Sequence, residues 1–468
     1  MTLGAGQKSW DAKLQVRYEI VSSSMAGNPT EMMVTWNTVN STNISAVEFG
    51  LNGEFSKTTT GYSSKFTEPE EGRVQYIHRV LLSGLKPGKV YTYHCGSPEG
   101  WSSLFYFKAQ LNTTDWSPRF AVFGDLGNEN AQSLGRLQEE TQKGMYDVFL
   151  HIGDFAYNMY EEGGRVGDSF MRQIETIAAY VPYMTCPGNH EQYYNFTNYK
   201  NRFSMPNFNQ SENLWYSWNI GPAHIISFST EVYFFPWYGL HASENQMAWL
   251  QKDLQEASKP ENRKRRPWII TMGHRPAYCT NSNHNDCTLE GGLVKRFFEE
   301  LFYKYGVDLE LWAHEHTYER LWPVYGGKVY NGTVRPYTDP KAPVHIITGS
   351  AGNRERHDGF GPQKEWSAFR NSDYGYTRMV IHNATHLSLE QVSDDQIQPA
   401  AQRKLASPPG IGLCMSDCSS AMVSDQGGNL WTALPSLNIN MDLIHGSSHS
   451  RRGLCMSSCN GTMVTDQI

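Results

Sequence analysis

In residues 15–112 apolar and polar side chains alternate over short segments of chain. Five runs have the period of two that is typical of half-buried strands: EMMVTWNT, SAVEFG, YIHRVLL, KVYTYHCG and SLFYFKA. The Gly/Pro segment GLKPGK separates two of them, and no helical period of comparable length occurs there. The pattern predicts an all-β sandwich. Because this part contains no cluster of His, Asp or Cys, we expect it to have a structural or interaction role.

After a polar linker at 109–118, apolar strands alternate with amphipathic helices. This alternation predicts a mixed α/β domain over residues 117–395. Ser243 and Gln246 have capping-box spacing at the start of one predicted helix. The predicted helices are 128–143, 167–180, 243–258 and 290–305, and the later predicted strands are 214–219, 223–229, 343–349, 376–381 and 386–392.

Residues 396–468 have a different character, with clusters of Pro, Ser and Gly. They contain an internal repeat, GLCMSDCSSAMVSDQ (412–426) and GLCMSSCNGTMVTDQ (453–467). Its Cys-x-x-x-Cys pairs, with His445 and His449 between them, are residue types that bind metals. No apolar pattern surrounds them, however, so we predict a disordered tail.

Five short apolar runs of the α/β domain lead into motifs rich in Asp, Asn and His: GDLG, GDFAY, GNHE, GHRP and AHEH. One Asp or His after a strand is ordinarily a cap. Five such runs in order within one domain instead predict buried strands that bring polar side chains to one sheet edge, as a metal site requires. In the His-x-His pair, side chains two residues apart point to the same face. The candidate site residues are Asp125, Asp154, Tyr157, Asn189, His190, His274, His284, His314 and His316.

Composition and charge restrict the function further. The net charge of −7 gives no support for a nucleic-acid surface, and no run approaches the roughly 18 apolar residues of a membrane span. MTLGAGQKSWDAKL lacks the apolar core of a signal peptide, but eight Asn-x-Ser/Thr sequons favour the secretory pathway. Cys279 and Cys287 flank a short polar loop, where a disulfide is expected in an oxidising compartment. We expect a secreted or extracellular protein, with an intracellular location as the alternative. The sequons are at Asn40, Asn43, Asn112, Asn195, Asn209, Asn331, Asn383 and Asn460.

The five motifs resemble those of the purple acid phosphatases, a branch of the calcineurin-like metallophosphoesterases. The resemblance covers about residues 17–395 and matches the plant-type, high-molecular-weight members, in which a β-sandwich precedes the catalytic domain. The tyrosine of GDFAY is the most specific feature, since most other metallophosphoesterases lack it. The implied fold is of mixed class (α+β and α/β): a fibronectin III-like β-sandwich followed by a metallophosphoesterase domain with two mixed β-sheets flanked by helices.

The resemblance also implies two metals that share Asp154 as a bridge. Tyrosinate and carboxylates are hard donors that suit Fe(III), whereas imidazole and amide oxygen suit divalent Zn, Fe or Mn. With Asp154, the implied Fe(III) ligands are Asp125, Tyr157 and His316. With Asp154, the implied ligands of the divalent metal are Asn189, His274 and His314.

By the same resemblance His190 and His284 are catalytic residues that contact the substrate, although Asn283 stands where some relatives have a second histidine. The implied activity is that of an acid phosphatase, hydrolysing small phosphate monoesters by metal-activated hydroxide at a binuclear Fe(III)–M(II) centre. Two alternatives stay open: the same centre acting on nucleotide, diester or pyrophosphate bonds, and a catalytically dead extracellular binding protein. The oligomeric state is not indicated.

The chain departs from the family pattern at two further places. Ala313 replaces the usual glycine of the His-x-His motif, which a tight turn should tolerate. The final apolar strand that normally follows the segment matching LEQVSDD is missing, and the repeat-bearing tail stands there instead. We expect this second departure to leave a sheet edge uncovered.

Overall fold

The computed structural model describes residues 18–330, 335–396 and 439–444. Its first nine strands are β1 (Tyr18–Met25), β2 (Met32–Thr38), β3 (Ala46–Leu51), β4 (Lys57–Thr60), β5 (Tyr62–Thr67), β6 (Val74–Leu82), β7 (Val90–Ser97), β8 (Gly100–Trp101) and β9 (Phe105–Lys108). They form two sheets, in the order β1-β2-β6-β5 and β4-β3-β7-β8, with β9 also paired to β7. The predicted β-sandwich is therefore confirmed. Its core lies between the two sheets, around Trp36, Phe49 and Tyr93.

The second part alternates strands and helices, as predicted. Its strands are β10 (Arg119–Phe123), β11 (Val148–Ile152), β12 (Tyr183–Cys186), β13 (Tyr216–Ile220), β14 (Ala223–Ser227), β15 (Trp268–Met272), β16 (Leu309–Trp312), β17 (Tyr318–Leu321), β18 (Val324–Tyr325), β19 (Lys328–Val329), β20 (Val344–Thr348), β21 (Ser367–Asn371), β22 (Gly375–Ile381), β23 (His386–Ser393) and β24 (Ile439–Ile444). Its helices are α1 (Leu134–Gln142), α2 (Glu161–Ala178), α3 (Tyr193–Arg202), α4 (Phe208–Ser211), α5 (Glu231–Phe234), α6 (His241–Ala257), α7 (Pro260–Arg265) and α8 (Glu300–Tyr305), the last preceded by a π-helical turn, Lys295–Glu299.

Two mixed sheets form the centre of this part. Their strand orders are β12-β11-β10-β22-β23-β24 and β13-β14-β15-β16-β20-β17-β21. In the first sheet β10, β11 and β12 are parallel neighbours, and in the second β14, β15, β16 and β20 are parallel neighbours. One hydrophobic cluster contains Phe123 and Ile152 of the first sheet together with Met272 and Leu311 of the second. The two sheets therefore share one core, and their parallel strands place polar loops at their carboxyl ends.

The sandwich is tied to the helices that follow the predicted metal loops. Tyr93 of the sandwich donates a hydrogen bond from Oη to the carbonyl oxygen of Ala179 at 2.6 Å, at the end of α2. Arg79 donates from Nη2 to the carbonyl oxygen of Asn201 at 2.6 Å, at the end of α3. Because α2 and α3 follow the GDFAY and GNHE loops directly, these two bonds connect the sandwich to the helices that support the site.

Two sequence predictions are wrong. Ser243 does not cap α6, which begins at His241; its hydroxyl donates to the carbonyl oxygen of Leu240, while Gln246 is buried and bonds the backbone of Ser229. The disordered tail is contradicted at residues 439–444, because β24 pairs antiparallel with β23 and supplies the edge that we expected to be uncovered. The internal repeat of the tail lies outside the described residues.

Candidate metal centre

The carboxyl ends of five parallel strands carry the predicted site residues. β10, β11 and β12 of the first sheet lead to Asp125, Asp154 and Asn189, whereas β15 and β16 of the second lead to His274 and His314. The acidic and amide donors thus come from one sheet and the imidazoles from the other, so the prediction that a single sheet edge carries all of them is wrong. A site between them needs both sheets to be folded.

Asp125, Tyr157 and His316 form the first group of donors, which we call the Tyr157 cluster. The phenol Oη of Tyr157 lies 3.1 Å from Asp125 Oδ1 and 2.8 Å from His316 Nε2. His316 Nε2 and Asp125 Oδ1 are 3.5 Å apart. All three side chains are buried, and three donors of different chemistry converge there.

Asp154, Asn189, His274 and His314 form the second group, the Asp154 cluster. His274 lies at its centre, with Nε2 at 3.1 Å from Asp154 Oδ2, 3.2 Å from Asn189 Oδ1 and 3.2 Å from His314 Nδ1. Asp154, His274 and His314 each offer one ligand atom, and these three atoms lie within 4.8 Å of one another, close enough to hold one metal ion. The sequence prediction divided the seven donors in this way, apart from the bridging role of Asp154.

The loops that carry these donors have an unusual backbone. Asp125, Asp154, Tyr157 and His314 have φ values of 58°, 51°, 54° and 71°, in the left-handed region that non-glycine residues rarely adopt. Gly153 also has a positive φ of 77°, and a Cβ there would lie 2.4 Å from His274 Nδ1. Strain of this kind persists where the surrounding structure enforces it, and here it turns the side chains of four site residues into one space.

Hydrogen bonds to the backbone fix which ring nitrogen faces each cluster. His274 Nδ1 donates to the carbonyl oxygen of Ile152 at 2.9 Å, and His316 Nδ1 donates to that of Arg356 at 2.8 Å. In both rings Nε2 is therefore the nitrogen available for a metal. Asp125 Oδ2 accepts the backbone N–H of His314 at 2.9 Å, which leaves Oδ1 for the Tyr157 cluster.

The electrostatics show groups of opposite charge held together under burial. Burial opposes ionisation of Asp154, but the charges of His274 and His190 outweigh it and lower the pKa of Asp154. Burial alone would lower the pKa of His274, yet Asp154 raises this pKa to about 10. The pKa of His316 is raised to about 9, mainly by its hydrogen bond to Asp125 against the effect of burial. Protonated histidines thus supply the positive charge that the carboxylates require.

The donors fit a pair of metal ions. Burial and the neighbouring Asp125 raise the pKa of the Tyr157 phenol well above its ordinary value, so only a strongly charged cation can stabilise a tyrosinate there. A metal at the Asp154 cluster would replace the protons on His274 as the partner of the carboxylate. The Tyr157 cluster is the harder of the two donor sets and the Asp154 cluster is the richer in imidazole, as expected of two different metals.

His190 lies against both clusters. Its backbone N–H donates to Asp154 Oδ1 at 2.9 Å, and its ring centroid is 4.3 Å from that of Tyr157. Its Nδ1 is 2.8 Å from Asn158 Oδ1, whereas its Nε2 remains 4.0 Å from Asp154 Oδ2. With one ring nitrogen bonded to an amide oxygen and 16 % of its side chain accessible, His190 can contact a substrate.

His284 is the predicted residue that the structure does not bring into the clusters. Its side chain is exposed, and among the residues that the structure describes no hydrogen bond joins it to either group. The disulfide predicted between Cys279 and Cys287 is confirmed, and it closes the loop that carries His284.

Sequence reasoning missed Glu191. Its carboxylate accepts the backbone N–H groups of Asp154, Phe155 and Gly188 at 2.8–3.0 Å and so joins two of the ligand loops. Burial raises the pKa of Glu191 to about 8. The sequence offered a signal, because Glu191 is the final letter of the GNHE motif.

Arg275 was also missed, although it directly follows His274 in GHRP. Its Nη1 is 2.9 Å from His314 Nε2. Its Nε donates to the buried carboxylate of Glu231, at 3.1 Å from Oε1 and 3.0 Å from Oε2. The guanidinium lies over the ring of Phe234. Arg275 thus fixes the far side of the His314 ring.

Three family models match the chain in order. The purple acid phosphatase N-terminal domain matches residues 19–109, the calcineurin-like phosphoesterase matches 118–318, and the iron/zinc purple acid phosphatase-like protein C matches 342–398. Acid phosphatase type 7 of Danio rerio is 61 % identical over 402 residues, which cover 82 % of this chain and 90 % of the relative. Acid phosphatase type 7 of Homo sapiens is 56 % identical over 390 residues, covering 81 % and 88 %.

Among solved structures, the purple acid phosphatase PPD1 from yellow lupin (Lupinus luteus) seeds aligns with a TM-score of 0.69 and 25 % identity, covering 84 % of this chain and 77 % of its own. It has the fold described above. Within the described part of the chain, no helix combines the length and apolar character needed to cross a bilayer.

Proposed function

The chain belongs to the purple acid phosphatase family, and from this we propose that it hydrolyses phosphate monoesters at two adjacent metal positions formed by the Tyr157 and Asp154 clusters. Family membership implies metal-dependent phosphate ester hydrolysis at a binuclear centre of iron and a second metal. The observation that carries the proposal is the buried phenol of Tyr157 between Asp125 and His316. In this assignment the Tyr157 cluster would hold Fe(III) and the Asp154 cluster would hold a divalent Zn, Fe or Mn, with Asp154 as the ligand that both metals would share.

When bound, two such metals act as Lewis acids on the phosphate and lower the pKa of a coordinated water, which accounts for activity in acid. The protein orients the ester around them. Asn158 Oδ1 lies 2.8 Å from His190 Nδ1, and Glu355 Oε1 lies 3.6 Å from His190 Nε2. We assign this Nε2 to the contact with a phosphate oxygen. His284 is assigned to the leaving group, to which an imidazolium donates a proton.

Tyr157→Phe tests the iron position. Purified protein from iron-replete cells should contain iron and a second metal and show a visible tyrosinate charge-transfer band. Removing one oxygen should abolish that band while the fold persists. Tyr376→Phe is the matched control, because Tyr376 is another fully buried tyrosine that donates to a carboxylate, that of Glu140. A colourless, iron-free parent protein, or a band that survives Tyr157→Phe, contradicts the assignment.

A panel of substrates separates the monoester activity from its alternatives. Monoesters, nucleotides, a diester and pyrophosphate should be compared by kcat/KM from pH 4 to pH 8 on the same protein. We expect monoesters to be hydrolysed fastest, with an optimum in acid. A preference for the diester or pyrophosphate would replace the substrate assignment and leave the metal assignment unchanged, whereas a metal-loaded protein without turnover would indicate a binding protein.

The chain also has features of a secretory protein. The six sequon asparagines within the described residues are all exposed: Asn40, Asn43, Asn112, Asn195, Asn209 and Asn383. A disulfide such as that between Cys279 and Cys287 is typical of an oxidising compartment. We therefore infer a glycosylated protein of the secretory pathway, which a mass shift on treatment with an endoglycosidase tests. The sequons at Asn331 and Asn460 lie outside the described residues.

A further inference from the structure

The loop that carries His284 is held along its length by the segment that carries two of the metal donors. We call residues 279–287, closed by the Cys279–Cys287 disulfide, the His284 loop. His284 itself has a left-handed φ of 59° and an exposed side chain. No hydrogen bond to its ring is present among the described residues. The position of its imidazole therefore depends on its neighbours in the loop.

The two asparagines on either side of His284 bind one carboxylate. Asn283 Nδ2 donates to Glu315 Oε2 at 2.7 Å, and Asn285 Nδ2 donates to Glu315 Oε1 at 2.8 Å. Glu315 is fully buried, with an exposure of 0 %. Each oxygen of one carboxylate thus fixes one neighbour of His284, and the histidine is bracketed between them.

Glu315 lies between His314 and His316 in the chain, so the carboxylate that binds both asparagines belongs to the same segment as two of the metal donors. Alternate residues of this segment bind the loop. After Glu315, Thr317 Oγ1 accepts from Asn281 Nδ2 at 3.1 Å, and the carboxylate of Glu319 accepts from the N–H and the hydroxyl of Thr280 at 2.8 Å and 2.7 Å. The intervening His316 faces the Tyr157 cluster. One face of the segment therefore holds the metal donors and the other holds the loop.

We propose that Glu315 is a positioning residue that, through Asn283 and Asn285, sets His284 for proton donation to the leaving group. This rests on the proposed role of His284 in the monoesterase reaction. In that reaction the water oxygen bonds to phosphorus as the ester P–O bond breaks, and the leaving oxygen takes a proton from the His284 imidazolium. The second proton of the consumed water restores the imidazolium. Asn283, which occupies the place of a second histidine, is on this view an anchor and not a proton donor.

The test is a set of double-mutant comparisons on the full-length, metal-loaded protein. Asn283→Ala and Asn285→Ala are made singly and in a His284→Ala background, and kcat/KM is measured for aryl phosphates whose leaving groups span a wide range of pKa. Each single change should lower kcat/KM about tenfold for poor leaving groups and little for good ones. The expected loss is smaller than the roughly 10²–10⁴-fold contribution of a general acid, because the histidine is still present but is less well positioned. In the His284→Ala background the same changes should have no further effect, and the visible band should be unchanged throughout.

Two further variants separate positioning from loss of packing. Glu315→Gln keeps the size of the side chain but replaces one acceptor oxygen by a donor, so one asparagine must turn its amide in order to accept from it. This variant should change the leaving-group dependence less than Asn283→Ala and Asn285→Ala do together. Asn262→Ala is the matched control, because Asn262 donates from Nδ2 to the Glu256 carboxylate at 2.9 Å on the surface of α6 and α7. It should leave the leaving-group dependence unchanged.

The outcomes are distinguishable. If His284→Ala steepens the dependence on the leaving group but the asparagine variants do not, or if their effects add to it, the positioning role is refuted and the role of His284 stands. If the asparagine variants lose the visible band, they act through the metal centre and the proposal is likewise overturned. If His284→Ala has no effect on a coloured, active enzyme, there is no proton donor to position; the proposal falls while the phosphatase assignment remains.

Discussion

Replacing Arg202 with methionine should destabilise the protein strongly, because Arg202 is the centre of a buried ion network between the sandwich and the catalytic domain. Its Nη1 lies 2.6 Å from Asp168 Oδ1 in α2, and its Nη2 lies 2.9 Å from Glu68 Oε1 in the sandwich. Nε also donates to Asn198 Oδ1 at 2.7 Å. The Arg202 side chain is 2 % exposed, and its two acidic partners are 0 % and 5 % exposed.

The magnitude follows from what the substitution leaves behind. Arg202→Met keeps the volume and apolar contacts of the stem but removes the cation between two buried carboxylates. Removing one partner of a buried ion pair typically costs about 3–5 kcal/mol, since the other charge stays desolvated. Arg73 remains 2.8 Å from Asp168 but 4.0 Å from Glu68, so Glu68 bears most of the loss.

Arg119→Met is the matched control. Arg119 makes a two-pronged contact with Asp147, at 3.0 Å and 3.1 Å, but 42 % of its side chain is exposed. Exposed pairs of this kind contribute about 0–1 kcal/mol. Chemical denaturation of the metal-loaded protein, followed both by tryptophan fluorescence and by the visible band, should therefore show a much larger shift of the midpoint for Arg202→Met.

The pH dependence gives a second check on the same reasoning. Burial already raises the pKa of Glu68, and loss of Arg202 raises it further. A raised carboxyl pKa stabilises the folded state in acid, and this contribution is lost as pH rises through the folded pKa. The deficit of Arg202→Met should accordingly be smaller at pH 4 than at pH 7. Equal midpoints for the two variants, or a deficit that grows towards acid, would refute the network as the source of stability.

Three further predictions concern single side chains. Asp154→Ala should abolish turnover and lower the metal content to less than one equivalent by elemental analysis; substantial activity would contradict the shared bridge. His190→Ala should lower kcat by about 10²-fold while the visible band persists, since His190 contacts the clusters without joining them; loss of the band would make it a ligand. Burial raises the pKa of Asp394 to about 6, so its contribution to stability is full below about pH 4 and is lost as pH rises through 6. Asp394→Asn should thus flatten the pH dependence of the melting temperature between pH 4 and pH 6, and an unchanged slope there would rule this carboxyl out.

Much of the site could be predicted because strand ends have a local pattern. An apolar run followed by Gly-Asp or Gly-Asn-His indicates a buried strand that ends in donors, whatever the rest of the chain does. The two alternating patterns likewise predicted the sandwich and the α/β domain. The failures were non-local: Ser243 had capping-box spacing, yet Gln246 is bound to Ser229 in another element.

The tail shows the same limit. No strand was predicted in 396–468, and β24 forms there because β23 offers unpaired backbone groups across a gap of more than forty residues. A strand such as β24 forms by pairing with a strand that is distant in the sequence, and a pattern read along one short segment does not contain that partner.

The sequence by itself determined which donors exist: Tyr157 in GDFAY, the histidine pair in AHEH and the acids of the first two loops. The spacing of the motifs could not determine which of them share a space, since the carboxylates and the imidazoles come from different sheets; only the family resemblance implied the two groups. Only the tertiary structure decided that Tyr157 lies between Asp125 and His316. It alone connected His284 to Glu315, because the hydrogen bonds from Asn285 and Asn283 that make this connection join residues 30 and 32 positions apart in the chain.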